Sequence, residues 1–195
     1  MSGKKLKIAI TGSIGSGKSA FADFIKEAGY TIIKADDISK EILARNNEVK
    51  EKVINAFGKE SFTDSEINRK YLAEKVFSDP GNVMIINSIL HPLVIKKVND
   101  LMLEELKKSD RIFVEAALIY EADMEEMFDY VVLITAGKEV RYIRKSGTLT
   151  PEDFEKRDFN QIPDEEKKKR ADFIFENNGS LKELRDKAKL LLSLI

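Results

Sequence analysis

The chain has 195 residues, long for a single small domain and short for two, so one α/β core carrying insertions is expected. Lys and Arg total 33 against 34 Asp and Glu, a net charge of −1, which leaves no overall field to gather nucleic acid or anionic lipid, so any anion site must be local. There is no cysteine, which excludes disulfides, a thiolate nucleophile and cysteine-ligated metal. The apolar run Ile8–Ile10 is too short for a signal peptide or a membrane span. The expectation is a cytoplasmic protein without nucleic-acid or membrane partners, a monomer or weak homo-oligomer.

Apolar runs rich in β-branched or aromatic residues predict strands at Leu6–Thr11, Tyr30–Ala35, Arg111–Ile119, Tyr130–Thr135 and Ala171–Glu176. Most lack alternation, as strands buried on both faces do. Between the first two, Ala20, Phe21, Phe24, Ile25 and Ala28 lie at helical spacing, and Gly29 supplies a left-handed stop. Roughly 75 residues separate the second strand from the third, far more than a crossover needs, so a helical insertion over 36–108 is expected. Within it, Asn46 and Asn47 mark a break between helices, Thr63 and Glu66 read as a capping box, and Asp79-Pro80-Gly81 reads as a second break. The run Asp164–Arg170 reads as a solvated charged face. The tail opens on Ser180 and Glu183, spaced as a capping box, with Leu181, Leu184, Ala188, Leu191 and Ile195 along one stripe. Alternating strands and helices imply a mostly parallel sheet whose ligands bind beyond the carboxyl ends of its strands.

The segment that directly follows the first strand carries a phosphate-binding motif: Gly12-Ser13-Ile14-Gly15-Ser16-Gly17-Lys18-Ser19 fits Gly, four residues, Gly, Lys, Ser or Thr, and it opens a helix at Ala20. Glycines let successive N–H groups converge on the β-phosphate at a helix N-terminus, Lys18 can reach the β- and γ-phosphates of ATP, and Ser19 can ligate Mg²⁺. A GTPase would need Asp-x-x-Gly and Asn-Lys-x-Asp elements, and neither is present. Asp36 and Asp37 follow the second strand; Asp36 is the candidate to orient an acceptor hydroxyl and take its proton, and Asp37 the candidate helix cap. Glu115 reads either as a group near Mg²⁺ or as a polar residue at a strand end, Arg69 either as a phosphate contact or as a surface ion-pair member. His91, the single histidine, either touches substrate or belongs to a helix start at Leu90-His91-Pro92.

The chain resembles the dephospho-coenzyme A kinases. The resemblance rests on Thr11 through Ser19, Ala35-Asp36 with Ile38, Ile67-Asn68-Arg69 with Leu72-Ala73 and Val76-Phe77, and Leu90-His91-Pro92-Leu93-Val94. It continues in Leu118-Ile119-Tyr120-Glu121, Asp129, Arg157 with Gln161, and Ala171-Asp172 with Asn177 and Gly179-Ser180. It implies a three-layer P-loop kinase core with a five-stranded parallel sheet, ATP and Mg²⁺ as cofactors, and the ribose 3′-hydroxyl of dephospho-coenzyme A as acceptor. It further implies that Asp36 activates the acceptor, that 36–108 binds coenzyme A, that 138–165 is a lid whose Arg141 is a catalytic cation stabilising charge that develops on the γ-phosphoryl group, and that Asn177 lies near the adenine. The family pattern departs at Lys34, where an Asp is usual, and at Ala117 and Ile119. A second lid arginine would fall on Ser146, leaving Arg144 or Lys145 to supply that charge.

Overall fold

A computed structural model describes residues 4–64 and 66–195. In chain order the elements are β1 (Leu6–Thr11), α1 (Lys18–Glu27), β2 (Ile32–Lys34), α2 (Ala35–Arg45), α3 (Asn47–Phe57), β3 (Phe62–Thr63), β4 (Glu66–Ile67), α4 (Arg69–Val76), α5 (Pro80–Glu105), β5 (Arg111–Glu115), β6 (Tyr130–Thr135), α6 (Lys138–Lys145), α7 (Pro151–Phe159), α8 (Asp164–Lys168), β7 (Phe173–Glu176) and α9 (Leu181–Leu194). Two compact units emerge, one from Met1–Lys34 with Asn99–Ile195 and one from Ala35–Val98.

The first unit is built on a five-stranded sheet in the order β2-β5-β1-β6-β7, with every pairing parallel. Ile8 and Ile10 of β1, Phe113 of β5 and Val132 and Ile134 of β6 pack with Phe21, Ala22 and Ile25 of α1 and Leu184, Ala188 and Leu191 of α9. The alternate residues Ala9, Ile112, Val114 and Leu133 are equally inaccessible. Both faces are therefore covered, which accounts for the unbroken apolar runs in the sequence. Asp129 ties the starts of β1 and β6 together by accepting from the Lys7 N–H at 2.9 Å, and that bond is the main cause holding its carboxyl below the ordinary value. Asp172 ties β6 to β7 by accepting from the Val131 N–H at 2.7 Å. The strand expected from Ala171 thus begins only at Phe173, and the one expected to reach Ile119 ends at Glu115. At the far end, Ser180 accepts from the Glu183 N–H and the Glu183 carboxylate accepts from the Ser180 N–H, the capping box read from the sequence.

In the second unit, Val49, Val53 and Phe57 of α3 meet Leu72 and Val76 of α4 and Ile86 and Leu90 of α5. Asn46 caps α3 by accepting from the Val49 N–H. Three expectations fail here. Thr63 and Glu66 are not a capping box: they face each other across the antiparallel pair β3–β4, and α4 is instead capped by Asn68, which accepts from the Tyr71 N–H. Pro92 does not start a helix, because α5 runs through it from Pro80, where Asp79 accepts from the Gly81 N–H. Neither Asp36 nor Asp37 caps a helix beginning near Ile38, since α2 begins at Ala35 and both lie in its first turn, where carboxylates suit the helix dipole; Asp37 pairs with Lys40 at 2.8 Å.

The run Asp164–Arg170 is exposed at Glu165, Glu166, Lys169 and Arg170, as expected of a solvated face, but not at Lys167. Lys167 has no accessible surface, and its ammonium lies 2.9 Å from Glu121 Oε1, an oxygen that also accepts from the Ile162 N–H at 2.9 Å. Arg170 lies over the ring of Tyr120 and pairs with Glu125. Burial pushes the Tyr120 phenol up to about 12. Among the described residues, no helix is long and apolar enough to cross a membrane.

Breaking a buried pair strands a charge in a low-dielectric site, so Lys167→Met is expected to lower unfolding stability by about 3–5 kcal/mol in chemical denaturation. A change under about 1 kcal/mol would show that Glu121 is solvated and the pair unimportant.

Candidate active site

The loop from Gly12 to Ser19 joins β1 to α1 at the carboxyl edge of the sheet. Gly15 and Gly17 have φ of 79° and 98°, conformations that L side chains rarely adopt. Space enforces the same choice: a Cβ on Gly15 would lie 2.5 Å from the Arg141 carbonyl oxygen, and one on Gly17 would lie 2.2 Å from Asn177 Nδ2. The loop backbone thus rests directly on α6 and on the segment after β7.

Its shape is held from outside. The Ser16 carbonyl accepts from Asn177 Nδ2 at 2.8 Å and from Arg144 at 3.3 Å, and the Ile14 carbonyl accepts from Arg141 Nη1 at 3.3 Å. Because a trans peptide points its N–H opposite its C=O, pinning the carbonyls of Ile14 and Ser16 outward turns the Gly15 and Gly17 N–H groups to the other side. There they join the N-terminus of α1, whose Gly17 N-cap supplies no side-chain acceptor and whose first turn holds no acid. Uncapped donors at the positive end of a helix dipole suit a phosphate group. The buried Ser16 Oγ also lacks a hydrogen-bond partner.

Lys18 and Ser19 converge on Glu115. The Glu115 carboxylate, at the carboxyl end of β5 and only 3% exposed, accepts from Ser19 Oγ at 3.0 Å and lies 3.7 Å from Lys18 Nζ. A hydroxyl and a carboxylate are hard oxygen donors of the kind Mg²⁺ takes, so these residues fit that ion. Ala20 follows within α1, half-buried.

The structure places the other sequence candidates as follows. Arg141 is buried: its Nε donates to the Ala136 carbonyl at 3.1 Å and its Nη1 pairs with Asp158 at 2.5 Å. Arg144 spans the Gly15, Ser16 and Asn177 carbonyls, the last at 2.8 Å, and burial lowers its pKa from the ordinary value. Asn177 donates from its side-chain amide to the Ser16 carbonyl and from its backbone N–H to the Thr135 carbonyl. Asp36, Arg69 and His91 belong to the Ala35–Val98 unit: Asp36 is exposed in the first turn of α2, Arg69 is the exposed first residue of α4, and His91 is half-buried within α5. Three contacts went unread in the sequence: Asp158 on Arg141, Gln161 on the Ile14 N–H, and Asp164 on Ser13, the last 2.5 Å from the Ser13 hydroxyl. None has a local pattern to betray it, since each pairs with a residue distant in the chain.

Comparisons with known proteins agree with this geometry. The family model described as Dephospho-CoA kinase matches residues 6–183. A dephospho-CoA kinase from Enterococcus faecalis is 32% identical over 185 residues, 93% of each chain. A crystal structure from Thermus thermophilus superposes with a TM-score of 0.78 at 32% identity, covering 98% of both chains. The dephospho-CoA kinase from Campylobacter jejuni superposes with a TM-score of 0.71 at 30% identity, covering 96% of this chain and 95% of that one. The chain therefore belongs to the dephospho-CoA kinase family, P-loop kinases that catalyse the final, ATP-dependent step of coenzyme A biosynthesis.

Proposed function

We propose that the phosphate loop and Asp36 divide the work of moving the γ-phosphoryl group of ATP onto the ribose 3′-hydroxyl of dephospho-coenzyme A. The observation that carries this reading is the convergence of Lys18, Ser19 and Glu115 beside a glycine loop whose N–H groups are aimed by Asn177, Arg141 and Arg144. Phosphoryl transfer passes through a loose transition state, so positioning and charge neutralisation do most of the work. The loop and the α1 N-terminus hold the β-phosphate. Lys18, paired with Glu115 at rest, turns its ammonium to the β- and γ-oxygens. Ser19 and Glu115 would hold Mg²⁺, directly or through water, and the ion would supply neutralisation of phosphate charge.

Asp36 lies two residues beyond the end of β2, whose last residue Lys34 is in register with Glu115. Its exposed carboxylate orients the acceptor hydroxyl in line and takes its proton late in transfer. Arg69 and His91 are assigned to substrate binding and 36–108 to coenzyme A recognition. Within the 138–165 lid, Arg141 acts by holding the loop, and Arg144 supplies the second cation next to it. The reaction is placed in the cytoplasm, with no nucleic-acid or membrane partner and with the chain as a monomer or weak homo-oligomer.

With ATP and Mg²⁺, turnover is expected with dephospho-coenzyme A and at least about a hundredfold less with adenosine or AMP; equal rates on a control acceptor would discard the assigned substrate. Asp36→Asn is expected to lose about 10²–10⁴-fold in kcat while ATP affinity stays within about twofold. Near-normal kcat in that variant would remove Asp36 from the chemistry.

A further inference from the structure

Gln161 stands just past the end of α7, and the chemistry described above gives it no task. Its Oε1 accepts from the Ile14 N–H at 2.8 Å. Three residues on, Asp164 opens α8 and accepts from the Ser13 hydroxyl at 2.5 Å. The two side chains therefore grip adjacent residues at the apex of the phosphate loop.

The bond to Ile14 matters because of the peptide it fixes. The Ser13 carbonyl accepts from the Ser16 N–H at 3.0 Å, closing a tight turn, which points the Ile14 N–H out of that turn, towards Gln161. The next peptide is oriented by a different partner, since the Ile14 carbonyl accepts from Arg141. Ser13–Ile14 and Ile14–Gly15 are thus held by side chains from two separate stretches of the chain. A glycine-rich loop has little intrinsic preference among peptide orientations, so each such hold selects one.

The grip is itself anchored. Between Gln161 and Asp164, the Ile162 N–H donates to Glu121 Oε1, the oxygen that also pairs with the buried Lys167. Glu121 belongs to the segment after β5, so the loop apex is referred back to the sheet by a path separate from β1.

We propose that Gln161, with Asp164 beside it, is a positioning residue for ATP: it holds the Ser13–Ile14 peptide in the orientation that leaves the neighbouring N–H groups free for phosphate. The inference rests on the nucleotide role proposed for the loop. Because its readout is binding of ATP without acceptor, it is separable from the identity of the substrate.

The test compares ATP dissociation constants, by calorimetry with Mg²⁺ and no acceptor, for the wild type, Gln161→Met, Asp164→Ala and Asp164→Asn. Gln161→Met keeps length but lacks an acceptor, and is expected to raise the ATP Kd and KM about five- to tenfold, with kcat at saturating ATP and the KM for dephospho-coenzyme A within about twofold of wild type. Asp164→Ala should weaken ATP, and Asp164→Asn, which retains Oδ1 as acceptor, should recover most of that loss. An ATP Kd within about twofold of wild type in Gln161→Met overturns the proposal, as does a variant that fails to fold or loses kcat alone, since the residue would then serve the fold or the chemistry. Tight ATP binding with the expected Kd shifts but no turnover of dephospho-coenzyme A would sustain Gln161 in this role and count against the assigned reaction.

Discussion

Three glycines among the eight residues from Gly12 to Ser19 give the phosphate loop the backbone freedom it needs and deprive it of the means to hold a shape. Much of the surrounding structure answers that constraint. Asn177 follows β7, Arg141 and Arg144 lie on α6, and Gln161 and Asp164 flank the start of α8, yet all five reach residues 13–16. Preorganised N–H groups are effective because little reorganisation remains to be made when charge arrives. In this fold the preorganisation is supplied by side chains more than 120 residues away in sequence.

The parallel sheet makes that reach possible. With β1 central and β5 and β6 on either side, the carboxyl ends of three strands deliver the loop, Glu115 and the Ala136–Arg141 turn to one edge. Its strands are buried on both faces, so the edge is rigid, and polar groups placed there keep their geometry. Glu115 illustrates the consequence: buried, bonded to Ser19 and near Lys18, it fixes both residues at the carboxyl edge of the sheet beside the loop.

What could be read from the sequence was what depends on neighbours in the chain. The Gly12–Ser19 motif, the Ser180–Glu183 capping box and the apolar runs of β1 and β6 are local patterns, and each stands where it was expected. The failures have one physical origin. Thr63 and Glu66 have the spacing of a capping box, but Phe62 and Ile67 pack into the core of their unit as an antiparallel pair, and tertiary burial outweighed the local pattern. Pro92 resembled a helix start, yet α5 carries it internally. Within the largely exposed run Asp164–Arg170, the burial of Lys167 and the contacts to Ser13, Glu121 and Tyr120 could not be foreseen, because those partners are distant in sequence. Asn177 stood out through the family pattern, although its hold on Ser16 could not be foreseen.

The central claim is that the loop assembled by these contacts delivers the γ-phosphoryl group of ATP to an acceptor and not to water. Incubating the protein with γ-labelled ATP, Mg²⁺ and dephospho-coenzyme A, then separating the products and locating the phosphate by NMR, tests it most directly. The account predicts label in coenzyme A at the ribose 3′-position, equimolar with ADP, and little release of label without acceptor. Label appearing as inorganic phosphate at the same rate with and without dephospho-coenzyme A would contradict it.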